Sequence, residues 1–175
     1  TKTMKKGYIL IMAATLLTAL SSRAQDADIY RTTVNDVDLK RYMGRWYEIA
    51  RFDHSFERNL QYCEAFYSLQ PDGKISVTNT GINSESQHRK TSYGKAKMGE
   101  APGQLRVSFF WIFYSDHNIL ALDQDYEWAL IGSKSPKYLW ILSRTRKLDS
   151  TTKSEILEIA KQRGYDTKKL IWVKQ

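Results

Sequence analysis

Cysteine and histidine are scarce in this sequence, and their scarcity argues against several kinds of chemistry. The single cysteine, Cys63, has no second cysteine to pair with in the sequence, so we expect the core alone to hold the fold. The three histidines, His54, His88 and His117, are far apart and lack the spacing of metal ligands. A P-loop, a dinucleotide fingerprint, a zinc-binding helix and a Gly-x-Ser-x-Gly elbow are also missing. We therefore expect neither a metal nor a cofactor.

Long hydrophobic runs are missing apart from one near the start of the sequence. The apolar run over residues 8–20 is shorter than the roughly 20 residues that a helix needs to span a bilayer. The pair Lys5-Lys6 precedes it, and Ser22-Arg23-Ala24 follows it and ends in a small residue where a peptidase could cut. This pattern predicts a secretory signal peptide over residues 1–24. It also predicts one exported domain over residues 25–175, either periplasmic or secreted.

The surplus of positive charge is modest once the predicted signal peptide is set aside. The sequence carries 27 basic and 19 acidic residues, a net charge of +8. Four basic residues and no acidic residue lie within residues 1–24, which leaves 23 basic against 19 acidic residues, a net charge of +4. We find no stripe of basic residues at helical spacing of the kind that marks nucleic-acid recognition. We expect no nucleic-acid partner.

Prolines are few, and all three lie in turn sequences, namely Pro71-Asp72-Gly73, Ala101-Pro102-Gly103 and Ser135-Pro136-Lys137. Short apolar and aromatic runs separated by turn signals are typical of an all-β barrel or sandwich. We predict eight strands, over residues 44–52, 60–70, 74–81, 91–98, 104–110, 118–123, 126–132 and 138–144. Eight consecutive antiparallel strands joined by short turns favour an up-and-down barrel that can hold one small ligand.

One helix is predicted after the last of these strands. Asp149 or Ser150 can cap its start, and Gly164 supplies a left-handed stop at its end. Its apolar residues form one stripe, so we expect this C-terminal helix to pack against the outside of the barrel. The segment Leu170-Ile171-Trp172-Val173 is predicted to form a final short strand that covers a sheet edge.

Three motifs carry a resemblance to a known family. The stretch Gly44-Arg45-Trp46-Tyr47-Glu48 places a glycine two residues before a tryptophan at the start of the first strand. The stretch Ala121-Leu122-Asp123-Gln124-Asp125-Tyr126 lies between strands six and seven, and Trp140-Ile141-Leu142-Ser143-Arg144 ends on an arginine. In this order and spacing they resemble the motifs of the lipocalins, and most closely those of the bacterial lipocalins related to apolipoprotein D. The flanks of the first motif and the ending over residues 170–173 extend the resemblance over nearly all of the exported domain.

The resemblance implies a barrel with one closed and one open end. It implies structural roles for Gly44, Trp46, Asp123, Tyr126 and Arg144, with the Arg144 guanidinium lying across the Trp46 ring at the closed base. The loops after strands one, three, five and seven would then form the open mouth. Bacterial relatives often carry a lipid-modified cysteine just after the signal, and this sequence has none there. We therefore do not expect an outer-membrane lipoprotein.

Side-chain alternation along each strand predicts which residues face the barrel interior. If Trp46 points inward, then Glu48, Ala50 and Phe52 do so too. The same rule, with Glu64 and Arg106 facing water, predicts an apolar and aromatic interior of the kind that receives a lipid tail. From this set we predict ligand-binding roles for Ala50, Phe52, Cys63, Ala65, Tyr67, Val107, Phe109, Tyr138 and Trp140.

The mouth is predicted to be aromatic and partly cationic. We expect the aromatic residues Phe56, Trp111, Phe113 and Tyr114 to contact ligand there. Exposed aromatics of this kind could instead contact a membrane, pack against a second copy in a homodimer, or fold back as core. By topology four cations lie near the mouth: Arg51 and Arg58, which we select as ligand-binding, and Arg89 and Lys90. An anionic ligand head would favour these residues. The alternative for each of them is a solvated surface charge. The three histidines are placed in loops at this end and predicted to be solvated.

The function that the sequence favours is binding, storage or transport of one fatty acid or lysophospholipid, linked to lipid balance or stress in the cell envelope. One alternative is an enzyme that modifies lipids with the Cys63 thiol. No histidine or lysine adjoins Cys63 in sequence to lower its pKa, and an inward cysteine is usually a small hydrophobic residue, so we predict no enzyme. The other alternative is an interaction module that dimerises or docks on membranes through the aromatic mouth.

Overall fold

The computed structural model describes residues 31–110 and 113–175. Its strands are β1 Gly44–Phe52, β2 Leu60–Leu69, β3 Ile75–Asn83, β4 Arg89–Met98, β5 Gln104–Phe110, β6 Phe113–Leu122, β7 Trp128–Gly132, β8 Leu139–Ser143 and β9 Leu170–Trp172. Its helices are α1 Leu39–Tyr42 and α2 Ser150–Gln162, and a 3-10 helix spans Thr167–Lys169. The predicted signal peptide and Trp111 lie outside the described residues. Within the described ranges, no helix is long and apolar enough to cross a membrane.

The strands form one antiparallel sheet that closes on itself. Each strand from β2 to β8 pairs with the next in sequence, and β1 pairs with both β8 and β2. The contact between β1 and β2 closes the barrel and pairs the lower part of the edge that β1 and β2 would otherwise expose. The predicted eight-stranded up-and-down barrel is therefore confirmed.

The pairing of β1 with β2 covers only the lower part of β1, over Gly44–Tyr47. Above it the two strands separate, and β9 pairs with β1 instead. Residues 173–175 continue into the gap, where the Gln175 side-chain amide donates to the carbonyls of Glu48 at 2.8 Å and Cys63 at 2.7 Å. The predicted final strand thus lies at a sheet edge, and the residues after it bridge the upper seam of the barrel.

A β-bulge in β1 corrects the orientation predicted for Ala50 and Phe52. Register with β8 shifts between Glu48 and Ala50, so one extra residue reverses the alternation above that point. Glu48 and Arg51 consequently face the interior, whereas the Phe52 ring packs against Tyr165, 6.1 Å between centroids, beyond the end of α2. Side-chain alternation counted from Trp46 could not reveal this bulge, because no residue type in the sequence signals it.

Strand β6 begins earlier than predicted. The sequence places residues 111–117 in a loop at the mouth, yet Ser115 pairs with Val107 and His117 pairs with Leu105 of β5. The expectation that His117 lies in an open-end loop is therefore wrong. Ser115 and His117 of this strand face the barrel interior, whose wall is partly polar.

Helix α2 lies against the outside of the barrel, as predicted. The Asp149 carboxylate accepts hydrogen bonds from the backbone N–H groups of Thr151 and Thr152, which fixes the start of the helix. Ile156 and Ala160 are fully buried on its inner face. Apolar surface is thus buried on both sides of the barrel wall.

The lower half of the barrel interior is filled by side chains. The fully or almost fully buried core residues there are Trp46, Tyr67, Ile75, Val77, Ala96, Leu105 and Ile119. Helix α1 closes the base below them, with Tyr42 completely buried and its ring 5.1 Å from the Trp46 ring. Among the described residues, the cavity inside the barrel lies above this packed core.

Candidate functional site

The base of the barrel is organised by Arg144. Its Cζ lies 3.7 Å from the centroid of the Trp46 ring, and its guanidinium donates to the carbonyls of Arg45, Arg41, Tyr42 and Tyr126 at 2.7 to 3.2 Å. The Trp46 indole N–H donates to the Tyr42 carbonyl at 2.8 Å. This geometry agrees with the structural roles predicted for Trp46 and Arg144.

Gly44 and the turn after β6 complete the base. Gly44 has a φ of 93°, and a Cβ there would lie 3.4 Å from Arg144 Nη1, so glycine suits both the backbone and the guanidinium. The Asp123 carboxylate accepts from the backbone N–H groups of Asp125 and Glu127, and the Tyr126 hydroxyl accepts from the Asp38 N–H. The base is a hydrogen-bonded scaffold rather than a ligand site.

A cavity of about 450 Å³ occupies the upper half of the barrel. Its apolar and aromatic wall includes Phe56, Leu60, Ala65, Val107, Phe109, Trp140 and Leu142. Its polar wall includes Asn79, Ser92, Ser115 and His117 on one side and Glu48 and Glu57 on the other. The volume lies within the range of cavities that hold small ligands.

The structure brings together about half of the predicted ligand-binding residues. Seven line the cavity, namely Phe56, Cys63, Ala65, Tyr67, Val107, Phe109 and Trp140. Ala50, Phe52 and Tyr114 do not line it: the first two are buried beneath the outer packing layer, and Tyr114 lies beside Lys97 on the outer wall. Trp111 and the side chain of Phe113 lie outside the described residues.

Tyr138 stands behind the cavity wall in an aromatic cluster at the mouth. Its ring stacks on Trp140 at 5.8 Å and on Phe56 at 5.9 Å, and His54 contacts all three rings at 4.0 to 5.6 Å. His54 is only 7 % exposed, so the prediction of a solvated histidine is wrong at this position. Within this cluster, Phe56 and Trp140 are the two rings that line the cavity, and the rings of His54 and Tyr138 hold them in place.

Arg51 is buried at the centre of a polar network and is not a solvated cation. Its Nη1 donates to Glu48 Oε1 at 2.8 Å and lies 4.0 Å from the Cys63 sulfur. Its Nη2 donates to the carbonyls of Glu57 at 2.7 Å and Leu60 at 3.0 Å. Arg51 thus ties the loop between β1 and β2 to the barrel wall, and the nearby charge of Glu57 offsets its attraction for an anion.

Glu48 and Glu57 form a buried acid pair in this network. Their carboxyl groups lie close enough to share a hydrogen bond when one of them is protonated. Burial and the charge of Glu57 raise the pKa of Glu48 well above its usual value, so Glu48 is the protonated partner. Burial opposes ionisation of Glu57 too, but contacts with His54 Nε2 at 2.7 Å and Trp140 Nε1 at 3.0 Å lower its pKa.

Cys63 lies against this pair, only 4 % exposed. Burial and the neighbouring acids raise the pKa of its thiol, so the sulfur remains protonated at neutral pH. A reactive cysteine needs the opposite, an electropositive and accessible environment that lowers the pKa. The surroundings of Cys63 therefore suit a small packed side chain and do not suit a nucleophile.

The cations predicted near the mouth have different environments. Arg58 is exposed and pairs with Asp53 at 2.9 Å, outside the cavity wall. Lys90 lines the cavity, and its Nζ donates to the Phe56 carbonyl at 3.0 Å. Among the described residues, Lys90 is the one lysine or arginine that lines the cavity, and no carboxylate lies within ion-pair distance of it.

Sequence reasoning missed most of the polar lining. Glu57, Ser115 and His117 fall in predicted mouth loops, and the polar residues Asn79 and Ser92 on predicted strands read as solvent-facing. The available signal was register: an inward Ala65 pairs with Asn79, and Asn79 pairs with Ser92 in β4. Following the cross-strand pairs from one inward-facing residue to the next strand would have identified these polar residues as part of the cavity wall.

The closed base, the open mouth and the interior cavity define a class of protein, the small β-barrels that enclose one ligand. A model of the lipocalin-like domain matches residues 37–175, and the chain belongs to the lipocalin family. It is 46 % identical over 165 residues to the outer membrane lipoprotein Blc of Escherichia coli, covering 93 % of this chain and 92 % of that protein. It is 32 % identical over 142 residues to apolipoprotein D of Macaca fascicularis, covering 76 % and 74 %. It is a bacterial lipocalin of the branch related to apolipoprotein D.

The fold is also that of a solved insect protein structure. Insecticyanin from the tobacco hornworm Manduca sexta matches with a TM-score of 0.70 at 20 % identity, over 83 % of this chain and 85 % of that one. The likeness extends over most of the barrel despite the low identity. At that distance it supports the architecture and leaves ligand chemistry to the residues of this cavity.

Proposed function

We propose that this lipocalin binds one fatty acid or lysophospholipid, with the alkyl chain inside the cavity and the anionic head at Lys90. The observation that carries the proposal is the cavity itself, which combines an apolar and aromatic wall with one unpaired cation near the mouth. Each methylene withdrawn from water contributes about 0.8 kcal/mol, offset in part by immobilising the chain. Ten buried methylenes contribute about 8 kcal/mol before that offset, which makes a dissociation constant of roughly 1 μM the tightest that a chain of this length would reach.

The charges in the cavity support a tail-first orientation. Arg51 donates to the protonated Glu48, and the negative charge of Glu57 beside it offsets the charge of Arg51. A carboxylate or phosphate placed there would face Glu57 and displace hydrogen bonds that hold the loop. Lys90 offers the better partner, because its ammonium is unpaired and lies near the mouth.

Calorimetric titration with palmitate and with the uncharged alcohol of the same length tests this proposal. We expect saturable binding of both, with one site per chain. Lys90→Gln should weaken palmitate binding about three- to fivefold, the scale of a partly exposed ion pair, and leave the alcohol unchanged. Arg89→Gln is the matched control, since Arg89 precedes Lys90 and lies on the exposed side of β4. Absence of binding by both ligands would contradict the proposal.

The enzymatic alternative makes a different prediction for Cys63. If the protein only binds lipid, Cys63→Ala should keep the affinity for palmitate and show no difference in lipid products from the parent protein. The buried, protonated thiol supports this outcome. A lipid conversion that the parent protein carries out and Cys63→Ala lacks would establish the enzymatic function instead.

We further propose that the protein acts in lipid balance of the cell envelope after export directed by residues 1–24. The relatives named as outer membrane lipoproteins support an envelope location. Mass spectrometry of the protein recovered from cells tests the prediction, because cleavage near residue 24 without lipid modification would give an unmodified chain starting near Gln25. A lipid-modified start would contradict the expectation of an unanchored protein.

Dimerisation through the mouth remains a separate proposal. Phe56 and Phe109 line the cavity and are also 55 % and 43 % exposed, so a second copy could cover them. Sedimentation of the parent protein and of Phe56→Ser tests it. A dimer that Phe56→Ser dissociates would support the proposal, and a monomer at all concentrations would reject it.

A further inference from the structure

The outer wall of the barrel opposite the cavity lining carries an aromatic and basic surface. One row of paired residues runs across four strands, from Arg45 in β1 through Phe66 and Thr78 to Tyr93 in β4. Phe66 is 47 % exposed and Tyr93 is 76 % exposed. Two large rings exposed to water in the same row of a small barrel are not explained by the core.

Basic residues flank these rings. Lys95 and Lys97 follow Tyr93 on the same face of β4, with Lys97 Nζ 4.5 Å and Lys95 Nζ 5.7 Å from the ring of Tyr114 on β6. Strands β3, β4 and β5 contain five basic residues and no acidic residue. We call the surface formed by Arg45, Phe66, Tyr93, Lys95 and Lys97 the outer-wall patch.

The acidic residues nearest this face are already paired. Glu64 lies 3.7 Å from Arg45, and Asp116 lies 3.8 Å from Arg106. The two lysines of the patch lie within ion-pair distance of no carboxylate in the described residues. Their positive charge is thus directed outward, beside the exposed rings.

We propose that the outer-wall patch docks this lipocalin on the surface of an anionic lipid bilayer. Aromatic rings that insert at the headgroup level and lysines that attract anionic lipids are the two components of such a surface. A second copy of this chain fits less well, because a symmetric contact would bring two positive patches together. If the proposed lipid-carrier function holds, docking would also bring the cavity close to the bilayer that supplies its ligand.

Flotation of the purified protein with vesicles tests the docking. One set of vesicles contains phosphatidylcholine alone, and the other contains phosphatidylcholine mixed with phosphatidylglycerol. We expect binding to the mixed vesicles that weakens as salt is added. Lys95→Glu with Lys97→Glu should lower this binding at least about tenfold, because it changes two attractive charges into repulsive ones. Phe66→Ser with Tyr93→Ser should weaken binding to the mixed vesicles several-fold.

The control is Lys161→Glu with Lys169→Glu, which makes the same charge change at exposed positions on the helical side. It should retain most of the vesicle binding. All variants should unfold at the parent temperature and bind palmitate from solution as the parent does, which separates docking from the cavity. Equal losses in the control, equal binding to both vesicle types, or binding of an oligonucleotide in place of vesicles would overturn the proposal.

Discussion

Each end of the barrel is organised by one arginine, and the two arginines are held in opposite ways. At the base, Arg144 lies over Trp46 and donates to backbone carbonyls, and no carboxylate of residues 31–110 or 113–175 forms an ion pair with it. At the mouth, Arg51 is buried against the acid pair of Glu48 and Glu57. The base is therefore a fixed scaffold of neutral hydrogen-bond acceptors. The hydrogen bonds at the mouth depend instead on which of its acids is protonated. Ligand and pH should act on the mouth and leave the base unchanged.

The largest effect should come from removing the ring that supports Arg144. Trp46→Ala is expected to lower the free energy of unfolding by about 4 kcal/mol, because Trp46 is completely buried and its loss leaves a cavity under the guanidinium. Denaturant unfolding followed by circular dichroism measures it. Trp172→Ala is the control, since that ring is 42 % exposed and should matter far less. Similar losses for the two variants would contradict the assignment of Trp46 to a rigid base.

The second effect separates charge from hydrogen bonding at the mouth. Arg51→Met should lower the free energy of unfolding by about 3 kcal/mol, because it leaves buried acids and two loop carbonyls without their donor. Glu48→Gln should cost less than about 1 kcal/mol, since an amide can accept from Arg51 and donate to Glu57 as the protonated acid does. A large loss for Glu48→Gln would show that Glu48 is ionised in the native protein.

The base could be predicted from the sequence and the mouth only in part. Few other side chains can replace Gly44, Trp46 and Arg144 in their structural roles. The sequence motif that contains each residue therefore also indicates its role at the base. The residues of the mouth network depend on a bulge between Glu48 and Ala50 that moves Arg51 inward. A bulge arises from pairing between distant segments, and a single sequence does not display that pairing.

The cavity lining shows the same division. Alternation correctly placed the apolar residues Ala65, Tyr67 and Val107 on the wall, because apolar side chains have a clear preference for the interior. It missed Ser115 and His117, because a strand that faces a polar cavity carries the same residue types as a loop. Polar interiors are therefore where sequence patterns fail to distinguish inside from outside.

His117 lies between the two regions and gives a smaller, pH-dependent effect. Burial lowers the pKa of its ring from 6.5 to about 4, and Nε2 lies 3.1 Å from the Tyr42 hydroxyl. The native state therefore binds fewer protons here than the unfolded state, so this contribution to stability is present above pH 6.5 and is lost as the pH falls toward 4. The loss should be about 2 kcal/mol, less than the full shift implies because the ring borders the cavity.

Comparison with His117→Gln isolates this contribution, because the raised pKa of Glu48 acts in the opposite direction. Protonated Glu48 is favoured in the native state, so acidification through that window stabilises the protein. The difference in unfolding free energy between parent and variant should shrink steadily from pH 6.5 to pH 4. A constant difference over this range would mean that His117 titrates alike in both states.

The smallest effect should come from Arg58, the one cation selected from the sequence that lies outside the mouth network. Arg58 and Asp53 are both about half exposed, and although the Arg58 hydrogen bond lowers the pKa of Asp53, solvent screens the pair. Arg58→Ala should leave the denaturation midpoint and the affinity for palmitate unchanged, whereas Lys90→Gln weakens palmitate binding. Equal weakening by the two variants would mean that the mouth attracts anions through its summed field. The local contact at Lys90 would then not be the anchor.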